Sequence, residues 1–197
     1  LHDALPICIF ASSCNFLEEI YYNDAKTLGK LLGESGFDVV YGGSCLGLMW
    51  ACAGEVKEYG GKLTGIMPEK LQEMDVFSEY CDEFIVTPCM RTRKDRMDKL
   101  SDALIALAGG FGTLEELSEM IVQKQLGYNN KAIVILNTNG FYDKLLEFFE
   151  VIIEEKFANK KAANLYFVAK TPEEAVTYLK NYKPGDFSIT KEDIYSR

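Results

Sequence analysis

Two short stretches carry the residue types that could act on a substrate. One is CMRTRKDRMDKL, residues 89–100; the other is IALAGGFGTLEEL, residues 105–117. In the second, an apolar run passes into Gly109, Gly110 and Gly112, and a helix is expected from about Leu114. Glycines there allow positive φ and close approach to the backbone, while a helix start offers unpaired N–H groups and the positive end of its dipole. The combination is an anion cradle, for which phosphate is the natural occupant. No GK[ST] follows, and the pattern is not GxGxxG, so it is neither a Walker loop nor a dinucleotide fingerprint. A plain strand-to-helix turn is the competing reading.

Thr113 and Glu116 stand at the spacing of a capping box, in which hydroxyl and carboxylate each satisfy a free N–H. Read alone, that makes Glu116 structural and Glu115 an acid favoured by the helix dipole. The first stretch changes the weighting. Met90, Met97 and Leu100 recur at helical spacing as a buried stripe, and Arg93 falls within it. A guanidinium on an apolar stripe needs an anionic partner, because a buried unpaired charge is costly. The available partners are a carboxylate such as Glu116, a ligand phosphate, or both. Lys94 and Arg96 on neighbouring faces read as solvated charges.

Composition removes most other chemistries. The only histidine is His2, in the leader LHDALP, so Ser-His-Asp, Cys-His and HExxH sites lose their central residue. Catalysis would have to run on carboxylates, arginine, lysine, hydroxyls and backbone dipoles. The six cysteines form no CxxC pair, so neither a zinc site nor a disulfide framework is expected. A formal charge of -9 argues against a nucleic-acid or anionic-membrane surface. No apolar run approaches the ~20 residues of a membrane span, and the expectation is a soluble cytoplasmic protein.

The elements that must position these residues follow from hydropathy. Strands are expected near Ile7–Phe10, Val39–Tyr41, Leu63–Ile66, Glu83–Val86, Ala103–Ala108, Ala132–Leu136 and Tyr166–Val168. Helices are expected at about 17–34, 46–59, 91–101, 114–126, 141–156 and 172–181. Continuous apolar strands separated by helices predict an α/β, doubly wound, mostly parallel sheet of about seven strands with helices on both faces. At 197 residues the chain suits one domain, 1–197, with 1–6 as leader and 183–197 as tail. Ligands of such sheets bind beyond the carboxyl ends of the strands where strand order reverses. Three loops fall at strand ends: ASSC (11–14), YGGSCLG (41–47) and AGGFGT (108–113).

The residues MRTRKDRM, followed at this interval by GGFGTLEEL, resemble the LONELY GUY (LOG) family, formerly described as lysine decarboxylases. Its signatures are M-H-x-R-K-x-x-M and P-G-G-x-G-T-x-x-E. The likeness continues through ICIFASSC, VVYGGSCLGLM, GIMP, QLGYNNKAIVILN and TPEEAVTYL, from residue 7 to about 184. It implies a Rossmann-like homodimer that hydrolyses the N-glycosidic bond of cytokinin riboside 5'-monophosphates, and often of AMP, without cofactor. By position, Arg93 and Glu116 match the family's catalytic pair. Lys94, Gly110, Phe111, Gly112, Thr113, Leu114 and Glu115 match its nucleotide-binding positions, and Asp75 falls where the family has a substrate-contacting glutamate. Gly109 joins the same turn, and Gly43 and Ser13 are phosphate-side candidates on the other two loops. The sequence departs from the pattern at Arg91, which replaces the signature histidine, at Ala108, which replaces the proline, and in the loop G-G-G-S-V-G-L-M-G, which reads Gly42-Gly43-Ser44-Cys45-Leu46-Gly47-Leu48-Met49-Trp50, with Trp50 in place of a glycine.

Other readings stay open at this level. A non-catalytic nucleotide-binding or sensing module would use the same fold. Cys45 sits ahead of a helix as a nucleophile would, but no base is available to it. Ser12 serves equally as a turn residue, and Trp50 could stack on a base or pack at an interface. Tyr21, Tyr22, Tyr128 and Tyr142 could line a pocket or belong to the core.

Overall fold

In the computed structural model, which describes residues 5–74 and 79–184, the Ile7-Cys8-Ile9-Phe10 run is buried at every position. It can be apolar throughout because β1 (Pro6–Phe10) lies inside a sheet covered on both faces. The chain continues through α1 (Glu19–Glu34), β2 (Asp38–Tyr41), α2 (Gly47–Glu58), β3 (Leu63–Pro68), the single turn α3 (Glu69–Gln72), β4 (Glu83–Thr87) and α4 (Met90–Lys99). It then forms β5 (Ala103–Ala106), α5 (Phe111–Gln125), β6 (Ala132–Leu136), α6 (Asp143–Glu154), β7 (Phe167–Ala169) and α7 (Pro172–Asn181). Among the described residues no helix is long and apolar enough to cross a membrane.

The strand order is β4-β3-β2-β1-β5-β6-β7, and every neighbouring pair is parallel. The expected sheet was mostly parallel; all seven strands are. From β1 the chain winds outward to β4, then returns to lay β5 on the other side of β1. The reversal therefore lies between β1 and β5, whose register pairs Ile7 with Ala103 and Phe10 with Ala106.

Alternate side chains of each strand feed two separate cores, as a period of two requires. Ile7, Ile9, Val39, Tyr41, Ile105 and Val134 pack with α1, α2 and α7. Cys8, Phe10, Val40, Ile66, Leu104 and Ile135 pack with Met97 of α4 and with Leu117 and Met120 of α5. That second core is the floor on which α4 and α5 stand side by side.

Two expectations about the glycine turn are corrected. The helix begins at Phe111, three residues ahead of Leu114, with Gly110 as its cap residue and no side-chain capping bond. Thr113 therefore lies inside the first turn, and the capping-box role for Thr113 and Glu116 is excluded. Positive φ is also not what Gly109, Gly110 and Gly112 supply: none of them adopts it. A Cβ on Gly109 would lie 2.2 Å from the Thr113 hydroxyl, so this residue must be bare for the turn to close.

Candidate active site

Arg93 is buried on α4, as its place in the Met90–Met97 stripe predicts, and each part of its guanidinium has a different neighbour. Nε donates to the Ile66 carbonyl on β3 at 2.9 Å. One terminal nitrogen donates to Glu116 Oε1 on α5 at 3.4 Å. The other lies against Gly42, where a Cβ would come within 2.2 Å of it. The bare glycine after β2 is thus the shelf that admits the arginine. The spacing of the sequence did not single out Gly42; its signal was only the doubled glycine at the end of an apolar strand.

Glu116 is 8% exposed. Burial pushes its carboxyl up from the ordinary carboxylate range to about 7, and the nearby Arg93 charge opposes that rise. Pairing with Arg93 therefore does not by itself keep Glu116 ionised. At 3.4 Å and through one oxygen, the pair is looser than the 2.7–2.9 Å typical of charge-assisted bonds. Desolvation wins, and the carboxyl titrates near neutrality. Cys8 lies buried beneath the pair, and burial holds its thiol well above the usual range, with Glu116 adding to the rise. It is no nucleophile.

Lys94 does not stand as a solvated charge. Its ammonium pairs with Glu115, and with Glu119 at 2.6 Å, while the lysine side chain stays 17% exposed. These bridges cross from α4 to α5 one helical face away from Arg93–Glu116. Together the two sets of contacts fix the first turns of α5 against α4.

The three strand-end loops do meet. The Ser12 N–H donates to the Ala108 carbonyl at 3.1 Å, and the Leu48 N–H donates to the Ser12 carbonyl at 2.9 Å. Asn15 Oδ1 accepts from the Gly47 N–H at 2.8 Å, so the loop after β1 bridges the starts of α2 and α5. Space over Gly110 and Gly112 is open: a Cβ at either would meet nothing within 4 Å. The first bond of α5 runs from the Leu114 N–H to the Gly110 carbonyl, so the amides of residues 111–113 precede the helical ladder. An open, uncharged floor below forward amides is a fitting seat for a phosphate.

The remaining candidates fall as follows. Phe111 is almost fully exposed, and Leu114 is half-buried. Ser13 is exposed on its loop. Gly43 adopts φ +73° and faces Phe84 and Gly65, so packing against β3 and β4 accounts for it. Asp75 lies outside the described residues. Trp50 rests on Tyr80, ring centroids 5.6 Å apart. Tyr142 is core, its hydroxyl donating to the Leu107 carbonyl at 2.7 Å; Tyr21 and Tyr22 pack partly on the first core, and Tyr128 is exposed. Cys45 is half-buried in the loop ahead of α2.

The sequence profile described as "possible lysine decarboxylase" matches residues 49–179. The rice protein named "probable cytokinin riboside 5'-monophosphate phosphoribohydrolase LOGL2" is 38% identical over 178 residues, covering 90% of this chain and 73% of the relative. The Arabidopsis thaliana "cytokinin riboside 5'-monophosphate phosphoribohydrolase LOG3" is also 38% identical, covering 90% of this chain and 83% of its own length. Among solved structures, the molybdenum cofactor carrier protein of Chlamydomonas reinhardtii superposes with a TM-score of 0.70 at 25% identity, over 90% of this chain and 96% of that one.

Proposed function

Because the chain belongs to the LOG family, formerly described as possible lysine decarboxylases, we propose that it hydrolyses the N-glycosidic bond of a nucleoside 5'-monophosphate, releasing the free base and ribose 5-phosphate. The observation that carries this reading is one buried carboxyl, Glu116, set beside Arg93 and next to an open glycine turn at a helix start. Cleaving a ribosyl C–N bond builds positive charge on the sugar, and a dry carboxylate is the group that answers it. Water adds to C1' as the bond to the base breaks; its oxygen becomes the anomeric hydroxyl, and a proton leaves with the base. No histidine is needed at any step.

In this division of labour Glu116 meets the sugar cation and orients the water, and Arg93 places Glu116. The amides of 111–113 over Gly110 and Gly112 hold the 5'-phosphate, with Gly109 and Thr113 shaping the turn. Ser13 and Asp75 remain on the substrate side of the proposal. Lys94, with Glu115 and Glu119, acts as the strut between α4 and α5. Cytokinin riboside monophosphate and AMP are the proposed substrates, turned over by a single domain in the cytoplasm.

The chain is further proposed to act as a homodimer. Seven of the twelve residues of α6 are apolar, yet none is fully buried. Five of them, Leu145, Phe148, Phe149, Ile152 and Ile153, line with Leu114 and Val122 of α5 an open groove of about 400 Å³. A two-fold axis that sets this face against its own copy would cover it.

The likeness to a cofactor carrier favours one competing reading, binding without turnover. Incubation with AMP and with isopentenyladenosine monophosphate separates the two. Free base and ribose 5-phosphate are expected from the wild type. Glu116→Gln should still bind AMP while releasing base at least ~100-fold more slowly. A variant as fast as wild type would leave Glu116 no part in the chemistry.

A further inference from the structure

A glycine nest and a carboxylate account for the phosphate and ribose of a nucleotide and leave the base without a seat. The two most exposed large apolar side chains among the described residues are Phe16, 95% exposed, and Phe111, 92% exposed. Both stand at the carboxyl edge of the sheet, Phe16 in the loop that follows β1 and Phe111 at the start of α5, the helix that follows the adjacent strand β5. They therefore flank the crevice where strand order reverses.

The loop carrying Phe16 is tightly tied down. Besides the bonds from Ser12 to Ala108 and from Gly47 to Asn15, its own turns are closed by Cys14 N–H to Ser12 Oγ at 3.1 Å and by Phe16 N–H to Cys14 Sγ at 3.4 Å. The Tyr22 hydroxyl donates to the Cys14 carbonyl at 3.1 Å. A loop this constrained holds a bare phenyl ring in water, and its Ser12 is bonded directly to Ala108, the residue before Gly109. Exposed aromatic surface so placed suits a flat apolar ligand face. The second ring, Phe111, is the first residue of the helix whose amides make the nest.

We propose that Phe16, on the β1 side of the crevice from Phe111, is a stacking platform for the base of the nucleotide, so that the two fused rings of adenine gain more from it than a single ring does. This rests on the nucleotide reading above. The occupant is identified by continuity: whatever ring is joined to a ribose phosphate seated on Gly110 and Gly112 emerges between the loop after β1 and the start of α5.

Binding of AMP, CMP and ribose 5-phosphate, measured by calorimetry in a Glu116→Gln background that slows turnover, tests it. Phe16→Ala should weaken AMP roughly tenfold or more, CMP less, and ribose 5-phosphate within about twofold, and Phe16→Trp should restore AMP. Equal losses for AMP and ribose 5-phosphate, an unchanged AMP affinity, or a change in particle mass by light scattering would overturn the platform. Absence of base release by the wild type, with these binding differences intact, would sink the hydrolase reading and spare the platform. Failure of every ligand to bind would remove both.

Discussion

At the scale of single residues, the site rests on a balance in which burial outweighs pairing. Glu116 is raised to about 7, so folding takes up a proton between the ordinary carboxylate range and neutrality. The associated stability is fully present below the unfolded value near 4.5 and is lost as pH rises through about 7. Chemical denaturation from pH 5 to 8 should find Glu116→Gln, a neutral isostere, gaining on wild type as pH rises, by about 3 kcal/mol at most. Activity should run the opposite way. If the ionised carboxylate does the work, kcat/KM climbs up to tenfold per unit below pH 7 and levels above it. A flat profile from pH 5 to 8 would contradict that role. Gly42 makes a second test, since a methyl group there displaces a guanidinium already held by Ile66 and Glu116. Gly42→Ala should lower turnover on the order of 10²-fold while the fold survives, a kinetic and a circular-dichroism measurement together. The need of Arg93 for an acid was legible from its slot between Met90 and Met97. The shelf beneath it was not, because Gly42 is distant in sequence and meets the arginine only across the sheet edge.

Among the elements, α5 decides most. It begins at Phe111, ahead of the expected start, because Gly109 lets Thr113 tuck under the turn. Gly109→Ala forces that contact apart and should cost about 1–3 kcal/mol, read by thermal or denaturant unfolding, with ribose 5-phosphate affinity falling in step. Unchanged affinity would detach the turn from the phosphate. The sequence placed a helix and an anion cradle here and misjudged where the helix begins, since Thr-x-x-Glu matches a capping box equally well. What resolved the ambiguity was tertiary: Glu116 faces Arg93 on a neighbouring helix and so is unavailable for its own backbone. Lys94 shows the same effect, a residue that periodicity assigns to solvent but that the packing of α4 on α5 gives to Glu115 and Glu119.

For the whole molecule, the doubly wound sheet brings loops from three strands to one edge, and the α6 face looks outward uncovered. Light scattering should report a particle near twice 22.2 kDa. Replacing Phe148 and Val151, both exposed on α6, with aspartate should halve that mass and lower turnover. A wild type at 22.2 kDa would exclude the homodimer.

Strand apolarity, helical period and punctuation by glycine are local properties, so the sequence by itself determined the α/β class, the parallel sheet and the two chemistry-bearing stretches. Distances, burial and desolvation depend on which surfaces are pressed together. Only the tertiary structure therefore decided that Arg93 rests on Gly42, that burial raises the Glu116 carboxyl to about 7, and that Phe16 is left facing water.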